Sequence, residues 1–488
     1  MRALLVAITI AAGCARAATT PGNSSDASAP TRVAEEDASA GLVEKNAAVD
    51  AGHVTPQLDP DGNDDDEDPG SGRAPSSARW EKVGTAPLAL TRICDLTPFR
   101  GSLYAAHAHT PLGTDGATIT RFTPDDAKRP FRVAFDWNRP GEPTKGGGAG
   151  QGFLRVHAIG GRLFVADADP PYGGLGVVDW GTEGYVFVSD DKGSFAPPRA
   201  PGFKPPAFPE LREDAGARAG AAVLPRAYHV IDVVRYRGAL YASTGSVPPK
   251  ERAWKGPSPG ALHRASEDGS RWTYEVDYPY PWRDGVWRLT YLVRFKDRLY
   301  AGIQDFDGRD PNDFVFFTPP RAAAGEPTVL RHEDARPMRI TRAGASGTLR
   351  WWVDTRANPH RLYWLAWTRD GIVLRVTTDG DHWAAFDLPD AGRPTDVTRF
   401  RDAVVVLTDR GLHRLTGPAI DGPADIASMA GVADATATLI APVEDAGTSK
   451  KHSPFEVTDF FCTAPLAVLD NVLYAGGQRG GSLYRLVE

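Results

Sequence analysis

Charged and polar residues recur at one position of a repeated sequence pattern. Asp95, Arg155, Asp232, Tyr291 and Asp396 each stand directly before the first apolar residue of one copy. Carboxylates beside guanidinium groups form strong, charge-assisted hydrogen bonds. If the copies surround an axis, these side chains line a central channel, either as solvated residues or as ligand contacts. Asp95, Arg155, Asp232 and Asp396 are therefore candidate ligand-binding residues.

A second candidate group lies in the segment 277–284, which contains Tyr280, Trp282, Arg283 and Asp284. Aromatic faces beside Arg and Asp suit stacking on sugar rings or aromatic ligands, with hydrogen bonds to hydroxyl groups. The alternative is a proline-rich segment that packs its aromatic rings onto the scaffold.

Metal and cofactor chemistry is not expected. The pairs His107/His109 and Asp167/Asp169 occupy matching places in two successive copies. Neighbouring sheets lie about 10 Å apart, however, whereas zinc ligands lie about 2 Å from the ion. The acidic run 59–68 lacks the spacing of a calcium loop and is interpreted as a solvated segment, with a weak calcium site as the alternative. There is no Walker loop, dinucleotide fingerprint or Ser-His-Asp signature, so no catalytic residue is assigned.

The first residues predict export. A short basic start and an apolar run end in Ala11-Ala12-Gly13-Cys14, which resembles a bacterial lipobox with Cys14 as the lipidated residue. That resemblance implies a lipoprotein anchored in the outer membrane and facing the periplasm or the exterior. The alternative is simple secretion after cleavage at Ala15-Arg16-Ala17.

Three regions follow from composition: an export signal (1–14), a tether (15–78) and a folded domain (79–488). Residues 15–78 hold thirteen Asp or Glu against four Lys or Arg and no aromatic residue, although the whole chain of 488 residues has a net charge of only −7. Such a segment cannot bury enough apolar surface to fold, so it is predicted to be disordered. The chain shows no basic stripe, and a nucleic-acid partner is not expected.

The folded domain is predicted to be all-β, a seven-bladed β-propeller. An apolar residue, a tight turn and a Leu-Tyr-Ala-like segment recur in six aligned copies and one looser copy around Arg361–Trp364. The aligned copies are 96–106, 156–166, 233–243, 292–302, 397–407 and 466–476. Each copy indicates a β-hairpin, and further strands downstream complete the four strands of a propeller blade.

The two ends of this domain are predicted to meet. The chain stops after a third strand at 482–486, and Trp80–Val83 supplies the missing fourth strand, which leaves no open edge. First and last blades then become neighbours. Cys94 and Cys462 lie at similar places in them and are predicted to form a disulfide, with two buried free thiols as the alternative.

The turns at Ser189–Phe195, Ser266–Trp272 and Thr377–Trp383 resemble degenerate Asp boxes of sialidase/BNR-type propellers, and the hairpin repeat is also kelch-like. In that family Asp boxes stabilise the fold and are not catalytic. Arg92, in Thr91-Arg92-Ile93-Cys94, stands where sialidases carry an arginine that binds the substrate carboxylate. The resemblance therefore makes Arg92 a ligand-anchor candidate, beside its interpretation as a solvated or channel-lining residue.

Long insertions fall in the connections of one face of the predicted propeller, and binding is expected there. The leading hypothesis is a non-catalytic cell-envelope binding or scaffold protein with a carbohydrate or protein partner. Whether the protein is an enzyme stays open; the alternative is a glycan-processing hydrolase or lyase, whose signature would be two clustered carboxylates with separated pKa values.

Overall fold

The computed structural model describes 78–87, 92–108, 117–136, 152–168, 184–195, 221–224, 227–245, 260–266, 269, 271–278, 287–305, 310–323, 326–341, 345–368, 371–388, 390–422, 426–429, 431–443, 452–457 and 461–488. These residues belong to the compact unit Gln57–Glu488. The predicted export signal with Cys14, the acidic run and the tether up to residue 77 lie outside the described residues.

The described elements are almost entirely β-strands. Helical structure among them is limited to one α-helix, Pro418–Asp421, and the 3-10 helices His332–Asp334 and Ile426–Met429. The strands in chain order are β1 (Arg79–Thr85), β2 (Arg92–Phe99), β3 (Ser102–Ala108), β4 (Thr118–Phe122), β5 (Phe131–Asp136), β6 (Val156–Ile159), β7 (Arg162–Ala166), β8 (Gly184–Val188), β9 (Ala221–Leu224), β10 (Tyr228–Tyr236), β11 (Ala239–Gly245), β12 (Ala261–Ala265), β13 (Trp272–Asp277), β14 (Trp287–Phe295), β15 (Arg298–Asp305), β16 (Phe314–Phe317), β17 (Ala335–Met338), β18 (Ala345–Asp354), β19 (Arg361–Thr368), β20 (Gly371–Thr377), β21 (Ala384–Ala385), β22 (Pro394–Phe400), β23 (Ala403–Thr408), β24 (Gly411–Thr416), β25 (Thr436–Pro442), β26 (Leu466–Leu469), β27 (Val472–Gly476) and β28 (Ser482–Val487).

The strands form antiparallel sheets, which confirms an all-β propeller. Five sheets have four strands each: β2–β5, β6–β9, β18–β21, β22–β25, and β26–β28 with β1. The strands β10–β17 form one eight-stranded sheet instead of two separate blades. The prediction of seven separate blades is therefore wrong for β10–β17. These strands are joined because β11 extends far enough for Gly245 to pair with Arg288 of β14.

The N-terminal strand β1 pairs with the last strand of the chain. The register sets Trp80 opposite Leu486 and Arg79 opposite Val487, so the predicted pairing of Trp80–Val83 with this strand is confirmed. The Trp80 ring also packs edge-on against Phe455, with the ring centroids 5.2 Å apart. The outer strand of the last sheet therefore comes from the opposite end of the domain.

Short turns connect the two inner strands of each repeat copy. At Arg100-Gly101, Gly160-Gly161, Arg237-Gly238 and Asp470-Asn471 both turn residues have positive φ, as in type I′ turns, whose twist matches that of the strands they join. The exception is the connection from β18 to β19, which spans residues 355–360. This longer turn explains why the copy around Arg361–Trp364 looks irregular in the sequence.

Aromatic side chains fill the spaces between neighbouring sheets. Phe135 of β5 lies 5.7 Å from Phe153 and 4.8 Å from Phe187, centroid to centroid. Burial of each such ring stabilises the fold by roughly 1.5–3 kcal/mol. Since the inner strands are covered on both faces, they read as nearly continuous apolar runs.

The turn Thr377–Trp383 has a compact hydrogen-bonded geometry. Thr377 Oγ1 accepts the amide of Gly380, Asp379 Oδ1 accepts the amides of Asp381 and His382, and the Trp383 indole donates to the Gly380 carbonyl. These polar groups are used within the turn, which supports its predicted structural role.

Candidate functional site

Three aspartates link the inner strands of successive repeat copies. Asp95, Asp232 and Asp396 are buried, and each follows a register irregularity in its strand. One carboxylate oxygen of each accepts a backbone amide from the next inner strand along the chain. The amide donors are Val156 (3.1 Å), Leu292 (2.7 Å) and Leu466 (2.7 Å). The repeat position noticed in the sequence is thus a structural link between successive copies.

Two arginines cross the channel between these carboxylates. Nη1 of Arg155 and Nη1 of Arg350 each donate to Asp95 Oδ1 at 3.1 Å. Arg350 Nε lies 3.5 Å from Asp396 Oδ2, so one guanidinium is shared by two carboxylates. The Arg155 guanidinium also lies over the Tyr291 ring, 4.3 Å from its centroid, which is a cation–π geometry.

Arg350 was missed by the sequence analysis. It stands directly before Trp351 on β18, the same position that Asp95 holds on β2. In the other copies this position lies at a fixed interval before the Leu-Tyr segment. The longer turn 355–360 increases that interval, so the position is not recognised in the sequence. Allowing an insertion in that turn would have found the residue.

The shared arginine leaves the two carboxylates with different acidities. Burial alone would raise the pKa of Asp95, but the charges of Arg155 and Arg350 outweigh burial and hold that pKa below its ordinary value. Burial raises the pKa of Asp396, and Arg350 offsets it only in part. Neighbouring charge therefore determines the direction of the pKa shift at Asp95, whereas desolvation determines it at Asp396.

His157 adds an imidazole to the cluster. Its Nε2 hydrogen-bonds Asp232 Oδ1, whose side chain is almost completely buried. The other oxygen of Asp232 accepts the Leu292 amide. His157 lies on β6, two residues after Arg155, at a position that the repeat pattern does not single out.

These side chains form the floor of a cavity of about 380 Å³. Its walls include Trp351 and Trp352 of β18. At the rim, Arg399 makes a two-pronged ion pair with Asp354, with Nε at 3.1 Å from Oδ1 and Nη2 at the second oxygen. The volume falls toward the small end of the range for small-molecule pockets, roughly 300–1,000 Å³. The cavity thus combines charged, hydrogen-bonding and aromatic surfaces.

A disulfide joins Cys94 to Cys462, with Cα atoms 4.8 Å apart; the predicted bond is confirmed and the free-thiol alternative is wrong. Cys94 directly precedes Asp95, and its carbonyl accepts a hydrogen bond from Arg350 Nη2. Thr463, next to Cys462, accepts from Arg350 Nε at 3.1 Å. Hydrogen bonds to the chain at both cysteines therefore position Arg350, the arginine that two carboxylates share.

The predicted site residues divide into three groups. Asp95, Arg155, Asp232 and Asp396 come together in the cavity. Arg92 lies at the start of β2, is only 3% exposed and is not among the cavity-lining residues, so it is not a solvated residue; its role as a ligand anchor stays a prediction. Residues Tyr280, Trp282, Arg283 and Asp284 lie outside the described residues.

His107 and Asp167, weighed as metal ligands, have structural partners. The His107 ring nitrogens hydrogen-bond the Arg92 carbonyl (3.0 Å) and the Thr120 hydroxyl (2.7 Å), and burial lowers its pKa to about 4. Asp167 accepts two backbone amides, each at 2.9 Å. No group of three or more metal-ligating side chains occurs in the part of the chain that the structure describes.

No protein-family model matches the sequence, and no curated protein matches it. Several solved structures are similar in fold at low identity. The extracellular domain assigned to a one-component system from B. thetaiotaomicron is 11% identical with a TM-score of 0.43; the match covers 85% of this chain but only 43% of that one. A periplasmic gluconolactonase from Pseudomonas aeruginosa is 13% identical (TM-score 0.39; 79% and 95% covered). An α-L-arabinanase from Penicillium chrysogenum is 12% identical (TM-score 0.36; 85% and 99% covered).

The helices among the described residues are too short to cross a bilayer.

Proposed function

We propose that this protein is a non-catalytic binding protein that holds a small, hydroxyl-rich ligand in the central cavity, with carbohydrate as the ligand class. The observation that carries the proposal is one cavity of about 380 Å³ that contains carboxylates, guanidinium groups and two tryptophans. A sugar offers hydroxyl groups that both donate and accept, and an apolar ring face that packs on an aromatic side chain.

Lone pairs remain available on the floor of the cavity. An ionised carboxylate offers about four acceptor positions. Asp396 receives the amides of Val397 and Leu466, and Arg350 stands 3.5 Å away. Hydroxyl groups of a ligand can use the remaining positions without displacing these structural bonds, because the carboxylate is already held in place.

The non-catalytic interpretation is supported by the work that the carboxylates already do. Asp95, Asp232 and Asp396 each fix one inner strand to the next. A group that moves during a reaction would disturb that link. Polar residues held in this way suit recognition, since ligand binding is strongest at a site that is already organised.

The test is a binding screen on immobilised glycans, followed by calorimetry with Trp352→Ala. Trp352 lines the cavity and packs on Tyr363 with centroids 4.9 Å apart. Loss of the Trp352 indole face should weaken ligand binding by about tenfold, or roughly 1.4 kcal/mol. Trp367, a partly buried tryptophan on β19 that does not line the cavity, gives the matched control Trp367→Ala. Absence of binding to every glycan would contradict the proposal.

A second candidate function is a glycan-processing hydrolase or lyase. The observation that favours it is a pair of carboxyl groups beside one shared arginine: the pKa of Asp95 is lowered and that of Asp396 is raised. Acid–base catalysis on sugars uses two carboxyl groups with separated pKa values. Release of reducing ends from a bound glycan, abolished in Asp396→Asn, would establish the enzyme instead of the binder.

The setting of the site is also proposed. We count the eight-stranded sheet as two blades, which gives a ring of seven with β1 in the last blade. The chain is exported and anchored at the outer membrane through a lipid on Cys14, with a carbohydrate or protein partner at the cell envelope. Mass spectrometry of the membrane fraction should find diacylglycerol on Cys14; a soluble form starting near Ala18 would favour secretion.

A further inference from the structure

The channel has two ends, which the inner strands define. At the turn end, strands such as β2, β18 and β22 lead into the hairpin turns; at the loop end these strands begin. From Asp95 the cavity lining continues through Pro98, and from Asp396 through Arg399. Both stretches run toward the turn end, so the cavity occupies the turn half of the channel.

An apolar layer fills the channel on the other side of the charged floor. Cys94, Leu154 and Ile231 directly precede Asp95, Arg155 and Asp232 in the chain. They belong to one contact cluster of buried residues drawn from several sheets: Cys94, Ala108, Leu154, Ala168, Ile231, Tyr291 and Cys462. None of these side chains except Tyr291 lines the cavity. Apolar packing at native density leaves little room for a polar ligand.

Contacts across the axis close this layer further. The Tyr291 hydroxyl on β14 donates to the Phe461 carbonyl, in the segment leading to β26. Arg155 Nη2 donates to the Leu349 carbonyl on β18 at 3.3 Å. Phe461 also lies beneath the Arg288 guanidinium, 4.9 Å from the ring centroid. These bonds join sheets that are not neighbours in the chain, and the disulfide at Cys94 and Cys462 holds the same level.

From this arrangement we propose that the ligand enters the cavity through the turn end of the channel, and that the cavity takes the end of a glycan chain or a free small sugar, not the interior of a chain. The inference rests on the proposed carbohydrate function and adds the direction of entry and the ligand class. A polymer that passes through a site needs two openings. Among the described residues, a charged layer over an apolar one closes the cavity toward the loop end.

The mouth can be narrowed without touching the charged floor. Thr398 lines the cavity on β22, two residues beyond Asp396, and is half-buried. Thr398→Trp places an indole in the entrance. Thr416, at the end of β24, is also half-buried and does not line the cavity, so Thr416→Trp is the matched control. Thermal unfolding of both variants establishes that each is folded.

The experiment measures binding of linear xylo-, malto- and arabino-oligosaccharides, from disaccharide to hexasaccharide, to the wild-type protein and both variants. For any oligosaccharide series that binds, we expect the affinity to stop rising with chain length after the first few sugar units. Thr398→Trp should weaken binding by about tenfold or more, whereas Thr416→Trp should not. Affinity that rises through the hexasaccharide, or binding unaffected by a folded Thr398→Trp, overturns this inference and leaves the carbohydrate function standing. A wild-type protein that binds none of these sugars and no glycan of the screen overturns both.

Discussion

Arg350 shows how one side chain sets the chemistry of a cluster. It donates to Asp95, lies near Asp396 and is held by Cys94 and Thr463. Truncating one member of such a buried group leaves an uncompensated charge. Because Asp95 has two guanidinium partners and Asp396 shares one, the two carboxylates differ in acidity although they occupy equivalent strand positions.

This difference predicts opposite pH dependences for Asp95→Asn and Asp396→Asn. The pKa of Asp95 is lowered by folding, so its stabilisation is present above the ordinary value of about 3.9 and is lost as pH falls through the lowered folded pKa. Asp95→Asn should therefore be most destabilising at neutral pH, and its cost should shrink in acid.

The contribution of Asp396 to stability has the opposite pH dependence. Its pKa is raised by folding, so its contribution is present below about pH 3.9 and is lost as pH rises through the raised value. The stability of Asp396→Asn relative to wild type should improve with increasing pH, by at most about 1.4 kcal/mol per pH unit for one group. Urea unfolding of both variants from acid to neutral pH checks the pair, and slopes of the same sign would contradict the assignment.

The repeat register predicted the residues of the floor, Arg155 among them, but not the contacts across the axis. Asp95, Asp232 and Asp396 were found because each precedes an apolar residue at a fixed interval from a tight turn. Bonds such as Arg350 to Asp95, between residues 255 positions apart in the chain, depend on how the sheets close around the axis. No local pattern encodes that distance, and the insertion at 355–360 hid the arginine itself.

At the scale of elements, β1 has the clearest consequence. It covers the edge of β28, which would otherwise present unpaired backbone groups to other chains. Its tryptophan packs on Phe455 and Tyr484 belongs to the same cluster.

Trp80→Ala should lower the free energy of unfolding by about 2 kcal/mol, because a half-buried aromatic ring is removed, and should increase aggregation on heating. Lys82, exposed on the same strand, provides the control Lys82→Ala, expected to change stability by about 0.5 kcal/mol or less. Chemical unfolding with light scattering measures both effects, and equal behaviour of the two variants would contradict a stabilising role of the Trp80 side chain.

Element prediction succeeded where turns are short and failed where pairing extends beyond one repeat. Type I′ turns carry residues such as Gly101 and Asn471 that tolerate positive φ, so the inner hairpins were visible in the sequence. The bridge from Gly245 to Arg288 joins two repeats into one sheet, and its formation depends on strand length and twist, which composition does not report.

At the scale of the whole molecule, the disulfide ties residues 368 positions apart. Replacing both cysteines, as in Cys94→Ser with Cys462→Ser, should lower the free energy of unfolding by about 2–4 kcal/mol. Wild type treated with reductant should approach the variant, and the variant itself should not respond to reductant. Unfolding curves of wild type and variant that coincide without reductant would mean that strand pairing alone closes the domain.

The propeller itself followed from periodicity, since every copy needs neighbours to bury both of its faces. The cavity did not, since no local pattern reports that Cys94, Leu154 and Ile231 fill the other side of the channel. Most of the long insertions lie outside the described residues, so binding at the loop end stays a prediction.

The position of Arg350 between Cys94 and Thr463 also bears on when the site comes into existence. A nascent chain that has not yet delivered Thr463 lacks one of the acceptors that orient this guanidinium, and Asp396 still awaits the Leu466 amide. A chain shortened before Thr463 should therefore lack the proposed ligand affinity, because Arg350 and Asp396 both lose contacts that the segment 463–466 supplies.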